Sequence, residues 1–143
     1  QWWSDEDVEA FKVPADQLAA YFDGLEVLPG VYANGRQCLG ENLADHGGLN
    51  IAFQALQNAM KTNPLKTVDG YTPEQRFFLA YANVWAGVNT PEGIMRLNTV
   101  DVHAQSFHRI NGALPHIDSW YEAFNIQPGD SLYIAPEDRV KIW

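Results

Sequence analysis

Residues 40–49 read Gly-Glu-Asn-Leu-Ala-Asp-His-Gly-Gly-Leu, with two acids, Glu41 and Asp45, standing four apart. In a helix this spacing puts both carboxylates on one face. The stripe continues through Leu49, Ala52, Phe53, Leu56 and Met60, an apolar surface of the kind that packs against a core. The whole face is therefore expected to be buried. A buried carboxylate must pair, protonate or coordinate a metal, because its bare charge is too costly in a low-dielectric interior. Two of them on one turn imply a cation or cationic group opposite; the alternative is an ordinary solvated acidic face.

The surrounding elements are mostly helical. Ser4 is a candidate N-cap, with Asp5, Glu6 and Asp7 in the first turn complementing the helix dipole and Val8 and Phe11 opening the buried side. Pro14 either kinks that helix or starts a second one carrying Leu18, Ala19 and Phe22 inward. Residues 24–35 hold Leu-Pro-Gly and Ala-Asn-Gly, loop or hairpin chemistry with Val31 and Tyr32 extended. The Glu41 helix follows. Its Gly47-Gly48 pair costs about 1 kcal/mol per residue against Ala, so it implies close helix packing, approach to a ligand shell, or a break. Thr72-Pro73-Glu74-Gln75 has the form of a capping box with Pro at the first helical position, and Phe77, Phe78, Tyr81, Val84 and Trp85 follow with helical periodicity. Thr90-Pro91-Glu92 starts another helix, Asn111-Gly112 marks a turn, and residues 117–124 form a last short helix.

Bulk properties bound the function. A chain of 143 residues with 46% hydrophobic content, five Trp and seven Phe has the material for one domain. The net charge of −9, from 18 acids against nine scattered Lys and Arg, argues against a nucleic-acid partner. No stretch approaches about 18 consecutive apolar residues, so no membrane segment is expected within the chain. The start at Gln1 lacks the features of a signal peptide, so any targeting signal would lie upstream. Cys38 is the only cysteine, which excludes an internal disulfide.

The string from Gly40 to Leu49 resembles the third-ligand motif of the neprilysin-like zinc metallopeptidases. Further matches in order and at family-like spacing are Trp2-Trp3, Phe77-Phe78-Leu79 with Val84-Trp85, Asp101-Val102-His103, Arg109-Ile110-Asn111-Gly112 and the terminal Lys141-Ile142-Trp143. The resemblance implies a mainly α fold with short extended segments, the C-terminal part of a gluzincin (thermolysin-like) catalytic lobe, over residues 1–143. It also implies that Glu41 binds Zn2+ and that Asp45 holds a zinc-binding histidine, fixing its tautomer and raising its basicity; a buried salt bridge is the competing reading of Asp45. Animal members carry cysteines where this chain has Ala86, Asn125 and Val140, so the pattern resembles bacterial members and implies an extracytoplasmic location, with a cytosolic one left open.

Zinc in a hydrolytic site usually takes three protein ligands and keeps a fourth position open. In the family the other two ligands come from an H-E-x-x-H helix, and no such motif occurs here; His46, His103, His108 and His116 lack the spacing. The resemblance therefore implies that the remaining ligands come from the N-terminal remainder of the same polypeptide and that this chain alone is inactive. Asp101 would orient His103 to stabilise an oxyanion, worth roughly 3–4 kcal/mol in a barrier. Arg109 would bind a main-chain carbonyl of a peptide substrate, unless it forms a structural ion pair. Val84 and Trp85 would line the primed-side pocket, though by themselves they read as core. His46, about 100° round the helix from Asp45, is expected to be partly exposed, and His108 to be packing or rim. A non-catalytic binding module derived from a peptidase lobe is the alternative function.

Overall fold

The computed structural model describes residues 2–142, so Trp143 of the terminal motif lies outside the described residues. Helix α1 runs Asp5–Asp23 under a capping box in which the Ser4 hydroxyl accepts from the Asp7 amide and Asp7 reaches back. Pro14 sits inside this one helix, which neither stops nor restarts there. Leu18, Ala19 and Phe22 are buried as their period requires, whereas Val8 is 40% exposed, so the buried side begins later than the sequence suggests. Strands β1 (Glu26–Leu28) and β2 (Val31–Tyr32) pair antiparallel as a small hairpin. Then come α2 (Leu39–Thr62), α3 (Pro73–Val84), α4 (Pro91–Val100), α5 (Ser106–Asn111) and α6 (Asp118–Phe124), with short 3-10 turns at Leu114–His116 and Pro136–Asp138. Thr72 and Thr90 cap α3 and α4 with their hydroxyls. No described helix is long and apolar enough to cross a membrane.

Two apolar clusters hold these elements. Leu49 and Phe53 of α2 meet Phe78 of α3 and Ile117, Trp120 and Tyr121 around α6. Leu18 and Phe22 of α1 meet Cys38, Ala104 and Val140. Each fully buried Leu or Phe contributes about 1.5–3 kcal/mol, so α2, which has side chains in or against both clusters, is the central support.

The α2 face differs from expectation. Leu49 and Phe53 are buried, but Ala52 is exposed, Leu56 and Met60 are half-covered and the Glu41 side chain is 41% exposed. The helix passes unbroken through Gly47-Gly48. Gly47 is buried, while a Cβ at Gly48 would meet nothing within 4 Å. The stripe is thus covered at its middle by α3 and α6 and open elsewhere.

His46 corrects the sequence reading: it is buried, at 3% exposure. The rotation away from Asp45 turns its ring towards the chain's end, where Nε2 donates to the Val140 carbonyl at 3.0 Å. The Val140 amide in turn donates to Nδ1 of buried His116, also at 3.0 Å. One residue near the C-terminus is therefore gripped through its backbone by two histidines, and His116 can accept only while Nδ1 carries no proton. His108 is buried too, in keeping with packing.

A close approach fixes α1 against the entry to α2. A Cβ on Gly35 would stand 1.9 Å from the Ala19 carbonyl oxygen, and the Gly35 amide donates to Asp23. Gly35→Ala is expected to destabilise at or above the upper end of the about 1–3 kcal/mol usual for overpacking, read as a lower denaturant midpoint. Burial, the largest cause in each case, pushes His116 and His108 down to about 4, from near 6.5 when unfolded. Between those values the unfolded chain binds more protons, so stability is full above about pH 6.5 and is lost as pH falls towards 4. Urea midpoints should hold near pH 7 and fall from about pH 6.5 to pH 4; a flat series would contradict this burial.

Candidate metallopeptidase site

Four elements converge beside the N-terminal turns of α2. Glu41 and Asp45 come from α2, Tyr81 and Val84 from the end of α3 with Trp85 at its cap, Asp101 and His103 from the loop after α4, and Arg109 from α5. They form two linked groups.

In the first group, His103 stands between two acids. Its Nδ1 is 2.7 Å from Asp101 Oδ1, and because a carboxylate only accepts, this nitrogen carries the donated proton. The backbone amide of His103 donates to the same oxygen at 3.0 Å, fixing both ends of the residue. The ring then directs Nε2 towards Glu41, 3.2 Å from Oε2. Hydrogen bonding from the imidazole, and next from that amide, holds the Asp101 carboxyl below its ordinary value. All three side chains remain partly open to solvent, at 41% for Glu41, 43% for His103 and 34% for Asp101.

The second group is mostly buried. Arg109 Nε and Nη2 donate to the two oxygens of Asp45, each at 2.7 Å, with both side chains about nine-tenths buried. This is the bidentate fork that a planar guanidinium makes with a carboxylate. It leaves Nη1 outside the pair. The guanidinium carbon lies 3.7 Å from the centre of the Trp85 ring, and the Tyr81 hydroxyl donates to the Arg109 carbonyl at 2.8 Å. Hydrogen bonding to Asp45 raises the Arg109 pKa further, with attraction from the Asp45 and Glu41 carboxylates adding to it against desolvation. Burial, foremost, pushes the Tyr81 hydroxyl upward, so it stays a neutral donor.

The two groups share a cavity of about 340 Å³, bordered by Trp85, Asp101, His103 and Arg109 and continued by Asn89 and Leu97. Val84 does not join it. This residue, 70% exposed, borders a neighbouring apolar groove with Asp45, Gly48, Ala52 and Phe77. Tyr81 had no separate role in the sequence reading, although its position four residues before Trp85 places it on the same face of α3. The Trp85 stack on Arg109 had no local signal.

As a metal centre the set is partial. Glu41 offers a carboxylate beside the cavity, but among the described residues no group of three His, Cys, Asp or Glu could hold an ion. The Glu41 carboxylate is a donor of a type that zinc takes, but it stands without the three-ligand set of a hydrolytic zinc site among the described residues. Each Asp45 oxygen has a second lone pair beyond its Arg109 bond and can accept from a further donor on the groove side.

The sequence matches Peptidase family M13 over residues 1–140. It is 36% identical to the neutral endopeptidase of Lactococcus lactis over all of this chain and 21% of that protein, and 37% identical to human endothelin-converting enzyme 1 over 99% of the chain and 18% of the enzyme. The fold superposes on a zinc metalloprotease of Mycobacterium tuberculosis, solved with an inhibitor, with a TM-score of 0.94 and 31% identity over the whole chain and 23% of that protein. PepO from Lactobacillus rhamnosis gives a TM-score of 0.80 at 34% identity, covering 99% of this chain and 21% of its own. The chain thus spans about a fifth of the length of these relatives. With its mainly helical fold superposing on part of these proteins, the chain belongs to peptidase family M13.

Proposed function

We propose that residues 1–143 are the C-terminal part of the catalytic domain of a zinc-dependent endopeptidase or oligopeptidase, supplying one metal ligand and the groups that bind substrate and stabilise the transition state. The observation that carries this is the shared cavity, with Glu41 beside a carboxylate-oriented His103 on one side and a neutralised, stacked Arg109 on the other. The remaining zinc ligands come from elsewhere in the same polypeptide, and the part alone is inactive. Support comes from the groove next to Asp45, where Gly48 faces open space and apolar Val84 and Ala52 lack cover. We place the whole protein outside the cytoplasm of a bacterium, on the sequence pattern noted above.

Zinc, when bound, activates water and polarises the scissile carbonyl. Glu41 would hold the zinc through its carboxylate, the oxygen nearest His103 lying beside the cavity. Asp45 accepts from a histidine ligand while keeping Arg109 in place. His103, its Nδ1–H committed to Asp101, presents Nε2–H to the oxygen on which negative charge grows. Arg109 Nη1, outside the Asp45 pair, donates to a substrate carbonyl and sets the peptide's register. Trp85 borders the cavity and Val84 the neighbouring apolar groove, and the space for the side chain beyond the scissile bond lies on this side of the site.

In the full-length protein, Glu41→Ala should abolish zinc retention and peptide hydrolysis. His103→Ala should keep zinc and lower kcat about 10²–10³-fold, as for loss of one oxyanion donor. A Glu41→Ala protein with full metal content and activity would falsify the assignment. Asp45→Ala leaves a buried guanidinium unpaired and should cost about 3–5 kcal/mol in unfolding free energy; an unchanged denaturation curve would show that the pair does not hold α2 to α5.

A further inference from the structure

We propose that Gln37 is a positioning residue for His103, acting through the last turn of α4; the inference rests on the catalytic reading given above. Helix α4 contains no fully buried residue, yet its C-terminal end delivers Asp101 and His103. The ties at that end are polar. The Gln37 side-chain amide donates to the Asp101 carbonyl at 2.7 Å and to the Thr99 carbonyl at 3.4 Å, and Asn98 Nδ2 donates to the Tyr32 carbonyl at 2.9 Å.

Gln37 is itself held in orientation. Asn34 Nδ2 donates to Gln37 Oε1 at 3.3 Å, and Asn34 Oδ1 accepts from the Gln37 backbone amide at 3.0 Å. The Gln37 oxygen therefore faces its own loop and the Nε2 donors face α4. Beyond the contact the constraint passes through one residue: Asp101 accepts from Gln37 with its backbone oxygen, while its Oδ1 accepts from both the amide and the ring of His103. Gln37 stands four residues before Glu41, on the segment that runs into α2. One side chain thus ties the entrance of the ligand-bearing helix to the mount of the transition-state donor.

Placement errors of about 1 Å can cost on the order of 10²-fold in rate, and losing neutral hydrogen bonds of this kind should loosen the mount without unseating it. In the full-length enzyme, Gln37→Met keeps the side chain's length but removes its donors. Its kcat should fall about tenfold, with KM changed less than about twofold and zinc content retained. Gln37→Lys returns a donor to the same carbonyls and should recover most of the loss. In a His103→Ala background Gln37→Met should cost nothing further, because the groups act as one unit. Full kcat in Gln37→Met, or the same loss with and without His103, overturns the proposal. Asn98→Ala, at the contact between α4 and the hairpin, should act in the same direction and serves if Gln37→Met fails to fold; Asn98→Ala with full kcat would then overturn it. In protein with labelled histidine, the Nδ1–H resonance of His103 should also move in Gln37→Met. An unmoved resonance defeats the clamp itself, whereas full kcat in His103→Ala defeats the catalytic reading beneath it.

Discussion

The buried pair between Asp45 and Arg109 is the constraint on which the site's arrangement depends. Two 2.7 Å hydrogen bonds between side chains about nine-tenths buried tie the first turns of α2 to α5, 64 residues further on. Such a pair adds little net stability, since the Coulombic gain is spent against desolvation. Its geometry is demanding, however, because a bidentate fork admits one relative placement of the two planes. Trp85 beneath the guanidinium and Tyr81 on the Arg109 carbonyl bring the end of α3 into the same register. The cavity wall that Arg109 forms is therefore set jointly by three helices.

Helix α2 divides its circumference between two tasks. On one side Glu41 and Asp45 meet His103 and Arg109. On the other, Asn42 donates to Cys38 and His46 grips Val140, so that side is closed by α1 and the C-terminal segment. Burial on this second side is nearly complete, at 3% exposure for Asn42, His46 and Cys38 alike, which makes it the fixed base. Glu41 can then stand partly open without the helix shifting under it. Burial also pushes the Cys38 thiol up, most of all through desolvation, so this cysteine acts as a packing residue and not as a thiolate.

The local parts of this design were legible in the sequence. Ser4, Thr72 and Thr90 cap their helices because a hydroxyl at that position meets a backbone amide two or three residues on, whatever the tertiary context. The four-residue spacing of Glu41 and Asp45 likewise fixes their common face. What failed was inference about what lies opposite. An apolar stripe on α2 states a capacity for burial, and whether Ala52 or Leu56 is covered depends on what packs there. His46 looked peripheral because its partner, Val140, is 94 residues away. The Gln37 contact with Asp101 spans 64 residues and leaves no local trace, since a glutamine in a turn reads equally well as a solvated side chain.

The two carboxylates flanking His103 also differ in kind, and that difference orders the site. Asp101 is bound twice by the residue it orients, through amide and ring, so its contact belongs to the loop and moves with it. Glu41 reaches the ring from another element across 3.2 Å and receives no bond from the backbone of His103. Withdrawing Glu41 towards a cation would break one long contact and leave the ring's orientation intact. Withdrawing Asp101 would release the ring altogether. In the proposed enzyme this asymmetry lets Glu41 exchange partners while His103 stays aimed, which a symmetric pair of acids would not permit.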